Sequence, residues 1–252
     1  MAAAPHHPAG PLEQFTIEPL LPLHIGRYDL SFTNSALFMI VAAGLVTLLM
    51  TLAVKRGALV PSRLQSMAEL LYEFIANMVR DNAGHDARRF TPLVFSLFMF
   101  ILLGNLLGMI PYSFTFTSHI IVTFALALTV FLIVTVVGFA LHGFHFLSLF
   151  VPQGVPKVLL PLMVVIEVIS YLTRPISLSV RLFANMMAGH TMMAVFAGFA
   201  VSMGAALGWF TSLAPLLLVV VLIGFEILVA VLQAYVFAIL TCLYLRDAID
   251  LH

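Results

Sequence analysis

Charge is what this chain has least of. Asp, Glu, Lys and Arg make up 9% of its 252 residues, while 62% are hydrophobic. A soluble domain carries roughly a quarter charged residues, so an ordinary soluble fold is excluded. From Phe90 to Pro156 there is no Asp, Glu, Lys or Arg at all. Cysteine is almost missing too. Cys242 stands alone, which rules out an intramolecular disulfide and any multi-cysteine metal site. The formal net charge is zero, and nothing points to nucleic acid. No G-x-x-x-x-G-K phosphate loop and no H-E-x-x-H occurs, so no means of hydrolysing a nucleotide or a peptide is recognisable. The start, MAAAPHHPAG, lacks a basic segment followed by an apolar one, and no secretory signal is expected.

What is present in bulk is long apolar runs. A membrane β-barrel would show short alternating segments instead. The expected fold is an all-α polytopic membrane protein. Residues 1–33 are polar and rich in proline and histidine, and read as a tail outside the bilayer. The pair His6-His7 fits a solvated tail better than a metal site. Residues 34–252 read as a single membrane domain. Within it, 34–54 is an uncharged run long enough to span, closed by Lys55-Arg56.

Residues 61–83 differ. Leu64, Met67, Leu70, Leu71, Phe74, Ile75 and Met78 recur at helical spacing among charged residues. That predicts an amphipathic surface helix, started by Pro61-Ser62 and ended by Asn82-Ala83-Gly84. Two spans are expected within 92–141, at about 92–110 and 119–141, joined by a loop from Pro111 to Ser118. Gly104 and Gly108 would permit close helix packing. Asn105 between them is either interhelical glue or part of a water path. His142 and His145 fall in a loop up to Pro156. Their spacing could ligate metal or haem, but interfacial histidines fit better, with no acid or cysteine beside them.

Residues 157–246 read as a long helical hairpin turning at Gly204-Ala205-Ala206-Leu207-Gly208. Its second arm is about forty residues, roughly 60 Å at the helical rise, against a hydrocarbon core of roughly 30 Å. Both arms must tilt strongly, which suits the flank of another assembly. Lys55, Arg56, Arg63, Arg80, Arg88, Arg89, Lys157 and Arg246 fall on one side of this topology, and Arg27 alone on the other. The positive-inside rule puts the N-terminus outside and the C-terminus inside. No internal repeat is evident, which weakens an inverted-repeat transporter.

Into this apolar hairpin the sequence sets Arg181. Arginine keeps its proton, and at a bilayer centre it costs roughly 2.5–3.5 kcal/mol on insertion scales. It therefore faces a partner or a water-filled cavity. Glu167, Ser170, Arg174, Ser177, Arg181 and Asn185 recur at three- and four-residue steps and share a helix face. Arg174, beside Pro175, reads either as part of that series or as an interfacial snorkeller. Folding the hairpin brings His190 level with Glu226, and Arg181 level with Gln233, in nearly one antiparallel register. Nine residues separate Arg181 from His190, about 180° around an ideal helix, so the two should look in different directions. A buried His–Glu pair titrates as a unit and can accept and release protons. The alternative is a static ion pair.

The stretch Leu178-Ser179-Val180-Arg181-Leu182-Phe183-Ala184-Asn185-Met186-Met187-Ala188-Gly189-His190 resembles the a subunit of F-type ATP synthases. So does Glu226-Ile227-Leu228-Val229-Ala230-Val231-Leu232-Gln233-Ala234-Tyr235. The resemblance runs from about residue 35 onward. It implies that Arg181 faces the carboxylates of a rotating c-subunit ring. It implies an outer proton path through Asn105, Asn185, His190, Glu226 and Gln233, and an inner one through Glu167, Ser170 and Arg174. The histidine and acid occur in either order in that family, and here the histidine comes first. The implied partners are the c ring, b-type stalk subunits and, indirectly, the F1 sector. No cofactor, no metal and no nucleotide site in this chain are implied, and the expected place is a bacterial inner membrane rather than a mitochondrial one. The competing readings are a stand-alone proton-coupled transporter or channel, and a haem protein or intramembrane enzyme using His142, His145 and His190.

Overall fold

The computed structural model of the chain describes residues 15–21, 24–25, 28–29, 31–54, 62–84, 86–110, 113–151 and 159–249. His6, His7, Arg27, Lys55, Arg56, Pro111, Tyr112 and Lys157 lie outside the described residues. Six α-helices carry the described chain. They are α1 (Asn34–Val54), α2 (Arg63–Ala83), α3 (Thr91–Gly108), α4 (Ile120–His142), α5 (Leu160–Leu207) and α6 (Leu213–Ile249). All but α2 lie within the five segments long and apolar enough to cross a membrane. The chain is an all-α, multi-pass membrane protein.

The segment before α1 is not merely a tail. Four short strands pair antiparallel, β1 (Pro19–Leu21) with β4 (Phe32–Thr33) and β2 (His24–Ile25) with β3 (Tyr28–Asp29). The Asn34 amide side chain donates to Thr16 O at 3.1 Å and the Asn34 backbone N–H to Glu18 O, so the strands are tied to the first turn of α1.

Helix α2 starts where its cap predicts. The Ser62 hydroxyl accepts from Gln65 N, and Gly84 closes the far end at positive φ. Its apolar residues divide between two faces. Ala68, Ile75, Met78, Val79 and Ala83 are buried, whereas Leu64, Met67, Leu70 and Phe74 stay exposed. Phe74 meets Tyr235 of α6 at 5.8 Å between ring centroids. So α2 is clasped onto the helical core on one side and leaves an apolar ridge on another.

Three expectations need correction. The loop before α4 is more than a connector between two spans: Phe114, Thr115, Phe116, Thr117 and Ser118 are all buried. It folds back into the protein because Gly104 and Gly108 lack side chains. A Cβ at Gly104 would run into the Phe116 ring, and one at Gly108 would lie 2.6 Å from Thr115 Oγ1. The two glycines thus admit this returning segment. His142 is the last residue of α4, followed by 3-10 turns over Gly143–Phe150, not a residue of an open loop. Finally, α5 runs through Gly204-Ala205-Ala206 to Leu207. Alanine favours helix, and the chain reverses only at Gly208, whose φ of 96° excludes most other residues.

The core lies among α3, α4, α5 and α6. Leu178, Leu182 and Met186, four apart, are the fully buried stripe of α5. Ala230, Ala234 and Ala238 form a matching stripe on α6, where small side chains let backbones approach. The polar residues of the hairpin sit on other faces of these same helices.

Candidate functional site

The hairpin of α5 and α6 opens on one side into a groove of about 450 Å³, lined in part by Arg181, Asn185, Gly189, Glu226 and Gln233. Arg181 is exposed in this chain and makes no hydrogen bond or salt bridge among the described residues. Leu178 and Leu182, on either side of it, are buried. Packing on the buried stripe of α5 thereby aims the guanidinium outward, away from this chain's own core.

His190 is turned the opposite way and is buried, as is Glu226. Its Nδ1 pairs with Glu226 Oε1. Its Nε2 lies 3.0 Å from Gly108 O and 2.9 Å from Thr115 Oγ1. The Thr115 hydroxyl in turn donates to Gly108 O at 3.1 Å. A carbonyl oxygen can only accept, so Nε2 carries a proton whatever the state of the ring. A proton shared by the pair would then sit between Nδ1 and Oε1. Imidazolium with carboxylate and imidazole with carboxylic acid fit the same heavy-atom geometry.

Gly189 is what lets the acid come so close. A Cβ there would stand 2.8 Å from Glu226 Oε1, inside normal contact. The second carboxylate oxygen, Glu226 Oε2, is buried without a hydrogen-bond partner. So are Asn105 Oδ1 and Gln233 Nε2. Buried polar atoms rarely stay unpaired, so each of these three is open to a water or another polar partner. Asn105 Nδ2 reaches Ala230 O at 3.4 Å, which makes it a link between α3 and α6 while leaving its oxygen open.

Gln233 is engaged with Asn185, whose Nδ2 donates to Gln233 Oε1 at 2.7 Å. Arg181, one turn away on α5, lines the same groove as Gln233 but leaves that oxygen to Asn185. Arg174 stands apart from the groove. Its Nη1 donates to Asp247 Oδ2 at 2.7 Å, and its guanidinium lies over Tyr171 and Tyr244. Glu167 is half-buried and Ser170 exposed, and among the described residues no side-chain hydrogen bond or salt bridge joins them to each other or to the hairpin's other arm.

Sequence reasoning missed Thr115, Gly189 and Asp247. Thr115 had a signal: the hydroxyl-rich string Ser113-Phe114-Thr115-Phe116-Thr117-Ser118 is out of place between two apolar spans. Asp247 lies beside Arg246 near the end of α6, and nothing in the local sequence points from it to Arg174. Near the mouth of the returning segment, His119 stacks on Phe114 at 5.1 Å, and burial holds its imidazole below the usual histidine range. Phe15, from the start of the described chain, sits 6.3 Å from the His190 ring and covers it. Among the described residues no three His, Cys, Asp or Glu side chains gather as metal ligands.

Comparison with known proteins agrees with this geometry. The family model described as ATP synthase A chain matches residues 36–246. The chain is 60% identical to "ATP synthase subunit a" of Parvibaculum lavamentivorans over 245 residues, covering 96% of this chain and 94% of that one. It is 58% identical to the protein of that name from Rhizobium etli strain CIAT 652, covering 95% and 96%. The Pelagibacter ubique counterpart is 56% identical, covering 96% and 98%. With Arg181 open to the groove, a histidine–glutamate pair buried behind it, and matches that span nearly its whole length, this chain belongs to the ATP synthase A chain family.

Proposed function

We propose that the chain is the proton-translocating stator subunit of the Fo sector of an F-type ATP synthase, working through two offset half-channels on either side of Arg181. One observation carries this reading. A lone exposed arginine and a buried, proton-competent His190–Glu226 pair lie on different sides of the same helix, nine residues or about 14 Å apart along its axis. A single-pathway channel has no use for a permanent cation beside its proton carrier. A stator facing a moving carboxylate does.

In the outer half-channel a proton arrives past Asn105 and settles on the His190–Glu226 pair. Thr115 and Gly108 O hold Nε2, so the imidazole presents Nδ1 to Glu226 in a fixed orientation. From Glu226 the proton passes along the groove, by Asn185 and Gln233, to a carboxylate of the c ring. Neutral, that carboxylate can turn into lipid. After nearly a full turn it meets Arg181 from the other side. The fixed positive charge favours its ionised form, and the proton leaves by the inner half-channel past Glu167 and Ser170. Arg181 also repels any hydronium crossing directly between the two routes. A membrane potential supplies about 2.3 kcal/mol per charge per 100 mV, so several protons are needed for each ATP formed in the F1 sector. The exposed apolar ridge of α2 and the surface of α1 are left for b-type stalk subunits. The N-terminal strands lie outside, and the C-terminal end of α6 lies in the cytoplasm of a bacterium.

Replacement of Arg181 tests this. In an Arg181→Ala complex that assembles normally, ATP synthesis and ATP-driven proton pumping should both be lost, and passive proton leak should rise. Arg181→Lys should fail as well, because a flexible point charge does not reproduce the planar fork. Normal pumping by either variant would sink the reading.

A further inference from the structure

Arg174 is the second guanidinium on the helix face that carries Arg181. Seven residues separate them, two turns of α5, which leaves them about 20° apart around the helix and about 10 Å apart along it. The face turned to the groove would therefore present two cations in series. It presents one, because Arg174 is held elsewhere. Asp247 of α6 takes its Nη1 at 2.7 Å, and the rings of Tyr171 and Tyr244 lie 5.4 and 5.1 Å from its guanidinium carbon. The Tyr171 hydroxyl is itself anchored, 2.7 Å from Thr135 Oγ1 of α4. Three helices thus share in holding one arginine.

A surface ion pair of this size would ordinarily contribute little. This one is different in its setting. Among the described residues Asp247 is the one acid paired with a hairpin arginine, and it neutralises the cation nearest to Arg181. A carboxylate that loses its proton beside Arg181 must then be free to move on. A second bare guanidinium two turns away would attract the same anion in the same low-dielectric setting and hold it.

We propose that Asp247 is a positioning residue: it withdraws Arg174 from the rotor-facing groove, so that Arg181 is the single uncompensated cation a passing carboxylate meets. This rests on the stator reading above. It also differs from a plain structural staple. A staple that loses one partner fails in folding and assembly, whereas a released charge fails in pumping by complex that has assembled. A withheld charge does harm only when it is released.

The test is a set of variants in the intact complex, with pumping measured by quenching of a pH-sensitive acridine dye in inverted vesicles and normalised to the amount of assembled complex. Asp247→Asn frees the cation and should lower pumping about tenfold or more. Arg174→Gln/Asp247→Asn lacks the pair altogether and should recover to within about threefold of the parent. Arg174→Lys/Asp247→Asn lacks the pair but keeps the charge, and should stay as low as Asp247→Asn. The proposal is overturned if Asp247→Asn pumps within about twofold of the parent, or if the double neutral variant pumps no better than Asp247→Asn. It is also overturned if Asp247→Asn merely fails to assemble while the double variant assembles and pumps, since that is the behaviour of a buried charge left unpaired in a staple. Arg181→Ala, measured alongside, separates the two ideas. If it abolishes pumping while Asp247→Asn does not, only the role of Asp247 falls.

Discussion

The two ends of the α5–α6 hairpin solve the same problem in opposite ways. Toward the turn, His190 and Glu226 are buried, held by Gly108 O and the Thr115 hydroxyl on one side and brought together by the missing side chain of Gly189 on the other. Toward the other end, Glu167 is half-buried and Ser170 exposed, and the charge of Arg174 is neutralised on the spot by Asp247. The buried end sets an imidazole against a carboxylate with the ring's remaining partners fixed. On the proposed function the open end needs no such device, because water can serve there. What the contrast teaches is where mutation should hurt. On the proposed function the closed end has a single way through, and the open end has many.

The contrast is attacked hardest at Glu226. Glu226→Gln removes the acceptor at Nδ1 and should lower ATP-driven pumping about 100-fold, the lower range for loss of a positioned proton-transfer group. An acid restored as His190→Glu in that background should recover part of it, because the pair works as a unit. No recovery at all would show that the imidazole has a separate task.

Gly189→Ala comes next. Its Cβ would stand 2.8 Å from Glu226 Oε1, so the carboxylate or the helix must move. Overpacking of this kind costs roughly 1–3 kcal/mol, and pumping should fall by about tenfold while the complex still assembles. Ala188→Gly, one residue earlier and facing the groove, is the control. An unaffected Gly189→Ala would mean that the close approach is not needed.

Thr115→Val keeps the shape of the side chain and removes one of two partners of Nε2. A net hydrogen bond is worth roughly 1 kcal/mol, so a drop of about fivefold is expected, with Thr115→Ser near the parent. The same pumping assay decides it, and equal rates for Val and Ser would remove Thr115 from the path.

The smallest effect is expected at the open end. Glu167→Gln should change pumping by less than about twofold, since water can stand in for the carboxylate. Accessibility gives the companion measurement in a background without Cys242. Cysteines at 190 and 226 should react with silver ion from outside, and cysteines at 167 and 170 from inside. If 226 reacts only from inside, the orientation is the first thing to abandon.

The helices and the site were unequally legible. The spans could be read from runs of apolar residues, because in a bilayer every backbone polar group must be satisfied within the helix, and length alone then marks a span. So α1 occupies the residues the uncharged run marked out, and Ser62 caps α2 as its sequence predicts. Arg181, His190 and Glu226 stood out because a polar side chain in such a run has to be compensated. Their pairing was partly legible too, since one register relates the two arms of a hairpin: His190 does meet Glu226.

Other features depend on which distant residues arrive together. Gln233 bonds Asn185 while sharing the groove with Arg181, a choice made by the rotation of each helix about its axis, and a register cannot supply it. The return of Phe114–Ser118 into the core depends on two glycines of α3 meeting Thr115 and Phe116, a matter of shape and not of hydropathy. Arg174 and Asp247 are 73 residues apart, and no spacing along the chain links one to the other. The sequence determined which residues would have to be compensated. Tertiary structure decided what compensates them, because a hydrogen bond or an ion pair is settled by distances of a few tenths of an ångström that no pattern along the chain encodes.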